Sequence, residues 1–166
     1  MKNLLLFLVF ACTFSFSCLG NPVPFSPIVR NYSVLDYNAG NENWAVAQDE
    51  RGVMYFGNNS GLLRYDGSRW KLFPLPTSGI VRAVYVASDR RIYVGSFEEF
   101  GYFEQNDLNL LEYHSLKEQV KGFDFHNDEI WTIVEQGGNI IFQSFGSYFI
   151  YDGKGTKGCL LYTSPS

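Results

Sequence analysis

Charged residues, and the residue types that most often carry out chemistry, are scarce in this sequence. Lysine, arginine, aspartate and glutamate make up 18% of the chain, and there are two histidines, His114 and His126. The net charge of −4 excludes the basic surface that binding to nucleic acid requires. Neither histidine has a second ligand at metal-binding spacing. The sequence therefore predicts no catalytic residue, no metal ion and no cofactor.

Cysteine is equally scarce. Cys12 and Cys18 lie in an apolar leader, and Cys159 lies close to the C-terminal end. This distribution excludes a disulfide framework, so the body of the chain must be held together by its hydrophobic core. Aromatic residues make up 17% of the sequence, with 15 Phe and 11 Tyr, and they favour strands over helices.

Residues 1–20 have the composition of a secretory signal peptide. Lys2 is their only charged residue, residues 4–10 are continuously apolar, and Cys18-Leu19-Gly20 provides small residues for a signal peptidase. We expect cleavage after Gly20 and export of the chain. A lipoprotein signal that lipidates Cys18 is the alternative, although Ser15 stands where such signals prefer leucine.

Three similar stretches follow one another along the chain. They are WAVAQDERGVMYFGNNSGLLRYDG at 44–67, VRAVYVASDRRIYVGSFEEFGYFE at 81–104 and IWTIVEQGGNIIFQSFGSYFIYDG at 130–153. We align them on three anchor residues: Gly57, Gly95 and Gln143. Eight residues after each anchor the residue is aromatic: Tyr65, Phe103 and Tyr151. Eleven residues before each anchor it is β-branched: Val46, Val84 and Thr132.

Each stretch predicts three short antiparallel strands joined by tight turns. The turns are marked by residues that tolerate left-handed backbone geometry or cap a turn: Gly61, Asp66, Gly67, Asp152 and Gly153. Successive anchors lie 38 and 48 residues apart, from 57 to 95 and from 95 to 143. Repeats of this length built of short strands are typical of β-propeller blades. A sandwich of unrelated strands is the alternative, and the shared aromatic position argues against it.

The sequence therefore predicts an all-β fold, a partial β-propeller of about three four-stranded antiparallel blades over residues 28–153. Residues 21–27 are expected to be a linker, and residues 28–35 a strand that closes the ring. The outer strands of the first two blades are predicted at 70–75 and 110–113, and that of the third is expected to be lost.

The C-terminal stretch departs from the repeat. Residues 154–166 are expected to be a truncated end, and residues 159–166, CLLYTSPS, resemble a translated sequencing adapter. We therefore expect the natural protein to continue beyond about Gly158. The chain is then a fragment of a larger ring, which we expect to have seven blades.

The residues GLLRYDG at 61–67 resemble the two-component regulator propeller repeat. The wider pattern of the three stretches resembles the N-terminal periplasmic region of Bacteroidetes membrane sensors that carry a triple-tyrosine domain. The resemblance covers residues 32–153, and the third repeat departs from it at Gln143. It implies a dimeric receptor of the inner membrane with a helix downstream that spans the membrane. It also implies a cytoplasmic output that is a histidine kinase, a hybrid or a LuxR-type segment.

In a propeller, the turns between second and third strands share one end with the connections between blades. Polar residues predicted at this end are the candidate ligand contacts: Asn58, Asn59, Ser60, Arg82, Glu98 and Glu99. Such an arrangement suits a carbohydrate or another small polar ligand from the periplasm. The alternative is that these residues only form turns and that Arg82 pairs with Asp49 or Glu99.

Three function classes follow from this reading. The first is the sensor region of a membrane-anchored regulator, which binds a ligand without chemistry. The second is part of a secreted propeller enzyme that acts on glycans, and the third is a structural adhesion propeller at the cell surface.

Overall fold

A computed structural model of the chain describes residues 27–77, 79–125 and 127–160. The chain divides into two units, 1–31 and 32–166. In the first unit, residues 27–31 have no regular structure, and Ile28 and Val29 are exposed. The predicted signal peptide and nearly all of the predicted linker lie outside the described residues. The second unit contains every described helix and strand.

The described residues of the second unit form twelve strands, one short α-helix and one 3-10 helix. In chain order they are α1 (Val34–Tyr37), β1 (Asn43–Gln48), β2 (Met54–Asn58), β3 (Gly61–Tyr65), β4 (Trp70–Phe73), β5 (Ala83–Val86), β6 (Ile92–Ser96), β7 (Glu99–Gln105), β8 (Leu111–Ser115), the 3-10 helix (Lys117–Gln119), β9 (Thr132–Gln136), β10 (Asn139–Gln143), β11 (Ser147–Tyr151) and β12 (Thr156–Leu160).

The strands form three antiparallel sheets of four strands each, and within every sheet chain neighbours are hydrogen-bonded neighbours. The register repeats from sheet to sheet. The aromatic residue eight positions after each anchor lies opposite the first apolar residue of the second strand in all three pairs: Tyr65↔Met54, Phe103↔Ile92 and Tyr151↔Ile140. The predicted three-fold repeat is therefore confirmed, and these aromatic positions are structurally equivalent.

Apolar side chains fill the two spaces between neighbouring sheets. The cluster between the first and second sheets contains Val53, Tyr55, Leu62, Leu75, Val81, Ile92, Val94 and Phe103. The cluster between the second and third sheets includes Tyr93, Phe100, Tyr102, Ile130, Ile133, Phe142, Phe149 and Tyr151. β6 is buried throughout because its sheet has a neighbouring sheet on each face, whereas Met54 and Phe56 of β2 are half-buried on the free face of the first sheet. Burial of these side chains is the main force that holds the sheets together.

Two of the anchor glycines lie where one sheet meets the connection to the next. A Cβ atom on Gly57 would lie 2.6 Å from the carbonyl oxygen of Val81, and one on Gly95 would overlap the side chain of Ile130. Equivalent hydrogen bonds join the sheets at the same places. The Val81 N–H donates to the Asn58 carbonyl at 3.1 Å, and the Ile130 N–H donates to the Ser96 carbonyl at 3.0 Å.

The prediction of a strand over residues 28–35 is wrong. Val34–Tyr37 forms α1 instead, and both the N–H and the hydroxyl of Ser33 donate to the carboxylate of Asp36. A strand requires a neighbouring strand for its backbone groups, whereas a helical turn satisfies them locally. Within the second unit, the ring of Tyr32 lies 5.3 Å from that of Tyr65, and the ring of Tyr37 lies 5.5 Å from that of Trp70. These aromatic rings cover part of the free face of the first sheet.

The prediction that the third sheet lacks its outer strand is also wrong. β12 pairs with β11 from Tyr151↔Thr156 to Ser147↔Leu160. It includes Cys159 and Leu160, from the stretch that resembles an adapter. Pairing with β11 uses backbone groups, which any extended segment without proline supplies. A sequence outside the repeat is therefore able to complete the sheet.

The aspartates at the ends of β3 and β11 cap the turns that follow, as predicted. Asp66 accepts hydrogen bonds from the N–H groups of Ser68 and Arg69 and from the Ser68 hydroxyl. Asp152 accepts from the N–H groups of Lys154 and Gly155. Both aspartates therefore act as turn formers, the role that their sequence context indicates.

We expect the carboxyl of Asp66 to titrate at unusually low pH. The hydrogen bonds from the Arg69 backbone, and then those from Ser68, lower its pKa from 3.8 to about 2. A pKa that is lower in the folded state stabilises the fold above the unfolded value, and this contribution is lost as the pH falls from 3.8 towards 2. An NMR titration of the Asp66 carboxyl checks this. In Asp66→Asn, unfolding should depend less on pH in that window. A midpoint near 3.8 in the wild type would contradict the capping role.

Candidate functional site

The first strands of the three sheets, β1, β5 and β9, lie side by side. Their registers place Ala45 opposite Gly57, Ala83 opposite Gly95 and Thr132 opposite Gln143. The residues immediately before these positions are therefore equivalent: Trp44, Arg82 and Trp131. They lie at the end of the sheets where each first strand begins.

The sequence alignment placed Ile130 at this position in the third repeat, which is one residue too early. The hairpin between β9 and β10 turns through Gly137 and Gly138, both with positive φ, and pairs Gln136 with Asn139. This loop is one residue shorter than those of the other two sheets, because glycine permits the tightest hairpin turn. The shift moves Trp131 into the position and buries Ile130 between the sheets.

Arg82 lies between two tryptophans at this end. Its Nε–H donates to Oε1 of Glu129 at 2.6 Å, and the two side chains are 15% and 20% exposed. Its guanidinium carbon lies 3.7 Å from the ring centroid of Trp44 and 5.3 Å from that of Trp131. Such contacts are favourable because the cation faces the negative face of the ring. Arg82 therefore fixes two indole rings, and its partner is Glu129, not the predicted Asp49 or Glu99.

Aromatic side chains extend from Arg82 to the surface. Trp44 is 44% exposed, Trp131 is 37% exposed and Phe145 is 79% exposed. The rings of Trp131 and Phe145 lie 5.6 Å apart. The Trp44 indole N–H donates to Oδ1 of Asn59 at 2.7 Å. We call Trp44, Arg82, Trp131 and Phe145 the aromatic platform.

Sequence reasoning selected Arg82 but missed the three aromatic members of the platform. A signal for two of them was present in the sequence. Tryptophan stands at the start of the first strand in the first and third repeats: Trp44 is the second residue of β1, and Trp131 directly precedes β9. A signal for Phe145 was present too, because it lies two residues after its anchor in a turn of the same length as the others, where the second repeat also has an aromatic residue, Phe97.

Asn58 is fully buried and has a structural role. Its amide nitrogen donates to the carbonyls of Gly40 and Glu42 and to Oδ1 of Asn43, and its oxygen accepts from the N–H groups of Gly40 and Ser60. The side-chain amide is therefore fully hydrogen-bonded and joins the loop before β1 to the turn between β2 and β3.

Of the two remaining residues of that turn, Asn59 borders the platform. It accepts from Trp44 and donates to Oε2 of Glu42, so it orients the Trp44 ring. Ser60 is half-buried.

The two glutamates at the turn before β7 lie in different environments. Glu98 is half-buried, and its carboxylate accepts from the N–H of Asn127. Glu99 is buried, and its Oε1 accepts from the Tyr113 hydroxyl at 2.9 Å and the Ser115 hydroxyl at 2.7 Å. Burial, and then the charge of Glu99, raises the pKa of Tyr113. The alternative that these residues only form turns does not describe Glu99, because it is buried and two hydroxyl donors offset the cost of burying its carboxylate.

Within residues 27–77, 79–125 and 127–160, no cluster of histidine, cysteine or acidic side chains has the geometry to hold a metal ion. In the same part of the chain, no helix has the length and apolar composition needed to cross a membrane.

Solved structures with the same arrangement of sheets identify the architecture. One is the extracellular domain of BT4673 from B. thetaiotaomicron, with a TM-score of 0.58 and 16% identity over 75% of this chain. BT4673 has been assigned both as a one component and as a hybrid two component system. The chain is part of a β-propeller. Each of its three sheets is one blade of this propeller, as the sequence predicted.

Lyases share the propeller blades. A catalytically inactive H270A variant of virginiamycin B lyase from Staphylococcus aureus, solved with quinupristin, matches with a TM-score of 0.61 and 12% identity over 81% of this chain. A streptogramin B lyase matches with a TM-score of 0.58 and 18% identity over 81% of this chain. No protein-family model and no curated protein sequence matches the chain.

This chain spans only part of those longer proteins. The match covers 17% of the BT4673 chain, 46% of the virginiamycin B lyase chain and 44% of the streptogramin B lyase chain. At these identities the similarity shows the propeller fold alone.

Proposed function

We propose that the chain is the N-terminal part of a ligand-sensing propeller in a membrane-anchored regulator, and that the aromatic platform binds the ligand without chemistry. The observation that supports the proposal is the pair of partly exposed indole rings held by Arg82 at one end of the blades. Exposed aromatic residues that are fixed by polar partners are typical of binding surfaces.

The chemistry of the platform suits a carbohydrate ligand. A sugar ring has apolar faces that pack on an indole ring, and hydroxyl groups at its edge that form hydrogen bonds. The platform offers both, since Trp44 and Trp131 present ring surface while Glu129, Asn59 and Glu98 provide acceptors nearby. Because Arg82 and Asn59 hold the Trp44 ring in place, little side-chain entropy is lost when a ligand binds.

The fold of the BT4673 extracellular domain supports the assignment to a receptor. In this proposal the propeller lies in the periplasm, as the exported part of an inner-membrane protein that acts as a dimer. Its partners are the ligand and the rest of its own receptor. The blades are rigid, so the ligand acts by binding two arrangements of the receptor with different affinity.

A secreted propeller enzyme is the second candidate, because virginiamycin B lyase has similar blades. The variant of that lyase in which a histidine is replaced by alanine is catalytically inactive, so the histidines of this chain need to be considered. In this chain His114 lies on β8, the outermost strand of the second blade. It stacks on Tyr102, with ring centroids 5.1 Å apart, and its Nε2 lies 3.4 Å from Glu104. His126 lies outside the described residues. These contacts support a packing role for His114, remote from the platform.

A test in the source bacterium separates these candidates. The gene is deleted and complemented with the wild type or with the double variant Trp44→Ala/Trp131→Ala, and transcripts are compared during growth on different carbohydrates. We expect one carbohydrate to induce a set of genes with the wild type and not with the double variant. Leu108→Ala, which removes an exposed apolar side chain outside the platform, serves as the control. Identical transcripts in the deleted and complemented strains on every carbohydrate would contradict a sensor.

A further inference from the structure

A cleft of about 440 Å³ opens between the first two blades, at the end opposite the aromatic platform. It lies between the β1–β2 hairpin and the β5–β6 hairpin. The floor is apolar and is formed by Val86, Ala87, Ile92, Leu111 and the ring of Tyr55. The rim carries four carboxylates and three guanidinium groups: Asp49, Glu50, Asp89, Glu104, Arg51, Arg90 and Arg91. The cleft therefore combines apolar contact surface with charged groups that can orient a ligand.

Most of the charges on the rim are already paired. Arg51 lies 3.0 Å from Asp49. Arg91 lies 2.8 Å from Glu104 and 3.6 Å from Asp89. The third arginine of the rim, Arg90, forms no ion pair with any described residue. Its guanidinium is therefore available to an anion that enters the cleft.

The backbone of Arg90 has a conformation that L residues with side chains rarely adopt. Its φ is +68°, in the left-handed region. The pairs Gln48↔Met54 and Val86↔Ile92 enclose hairpin loops of equal length, so Arg90 is equivalent to Gly52 of the first blade, whose φ is +82°. Glycine is the residue that this conformation favours. The second blade therefore has a guanidinium at the cleft where the first blade has glycine.

We infer that the cleft binds a small organic monocarboxylate, with the apolar body of the ligand on the floor and its carboxylate on Arg90. The apolar floor disfavours a bare inorganic anion, because such an ion gains nothing from contact with Val86, Ile92 or Leu111. The four carboxylates of the rim disfavour a ligand with several negative charges. This site is separate from the aromatic platform and does not depend on the carbohydrate proposed there.

The test is a ¹⁹F NMR titration of the full chain with 4-fluorobenzoate. We expect saturable binding, and binding at least tenfold weaker for the neutral 4-fluorobenzyl alcohol. Arg90→Gly should weaken binding of the benzoate at least tenfold. The unfolding temperature of this variant should equal or exceed that of the wild type, since glycine adopts the positive φ of this position without strain. The second variant is Arg90→Asn, because asparagine also tolerates positive φ. It should weaken binding of the benzoate as much as Arg90→Gly does.

Two controls complete the experiment. Arg69→Ala removes an exposed guanidinium outside the cleft and changes the net charge equally, so it should bind as the wild type does. Trp131→Ala should also bind as the wild type does. The inference is overturned if the wild type does not bind the benzoate, if benzoate and alcohol bind equally, or if both Arg90 variants bind like the wild type.

Discussion

Replacing Gly95 with valine is expected to destabilise the propeller blades more than any other single change proposed for this chain. A Cβ at this position would overlap the side chain of Ile130 and lie 3.1 Å from its carbonyl oxygen. Neither the side chain nor the carbonyl of Ile130 can move away from the added Cβ. Ile130 is buried between blades, and its N–H is bound to the Ser96 carbonyl at 3.0 Å. The two blades have to separate to admit the valine.

The expected loss in the free energy of unfolding is at least about 3 kcal/mol, the upper part of the range for overpacked cores. Gly155→Val is the matched control, because an added Cβ there meets nothing within 4 Å and the backbone is not in the left-handed region. Urea unfolding followed by circular dichroism measures both. If Gly95→Val unfolds at the same urea concentration as the control, the blades do not pack as closely at Gly95 as described.

Arg82→Ala is expected to lower the free energy of unfolding by about 3 kcal/mol, the lower end of the range for breaking a buried ion pair. The change leaves the carboxylate of Glu129 largely buried without its partner at 2.6 Å. It also removes the cation that lies against Trp44. Both losses act on the aromatic platform, so the two indole rings should become more mobile.

The double variant Arg82→Ala/Glu129→Ala separates the two contributions. Removing Glu129 as well should recover part of the lost stability, because no unpaired charge is left behind. Tryptophan fluorescence reports the platform in each variant, and chemical unfolding reports stability. Arg69→Ala removes an exposed arginine elsewhere and should change stability by less than about 0.5 kcal/mol. An Arg82→Ala effect as small as that of the control would contradict the role assigned to the ion pair.

The repeat was predictable from the sequence because it follows from local patterns. Turn residues, apolar second strands and one aromatic position per repeat were sufficient to locate the first three strands of each blade to within a few residues. These features are fixed by backbone geometry and by burial on both faces of a blade, and both leave a periodic trace in the sequence.

Features that depend on contacts between distant segments were not predictable. The single-residue shortening at Gly137-Gly138 hid the equivalence of Trp131 with Arg82, because the alignment assumed hairpins of equal length. The burial of Glu99 depends on hydroxyl donors from β8, fourteen and sixteen residues later in the chain. The fourth strand of the third blade depends on backbone pairing, which composition does not reveal.

The candidate ligand contacts also combine a feature that local patterns predicted, their place in turns, with one that depends on distant contacts, their hydrogen-bond partners. Sequence reasoning placed Arg82, Asn59 and Glu98 at the end of the blades where the aromatic platform lies, and their role as ligand contacts stays a prediction. It also selected Asn58 as a ligand contact, although the side-chain amide of Asn58 is hydrogen-bonded to the loop before β1. Polar residues in turns look alike in a sequence whether their hydrogen bonds point inward or outward.

The most direct test of the platform is binding of the purified chain to an array of neutral and uronic-acid-containing oligosaccharides. The wild type, Trp131→Ala and Leu108→Ala are compared at equal concentration, and circular dichroism shows that all three are folded. We predict that at least one oligosaccharide class retains the wild type, that Trp131→Ala loses at least tenfold in affinity for it, and that Leu108→Ala binds unchanged. Equal binding by Trp131→Ala and the wild type, or no binding to any oligosaccharide, would contradict the account.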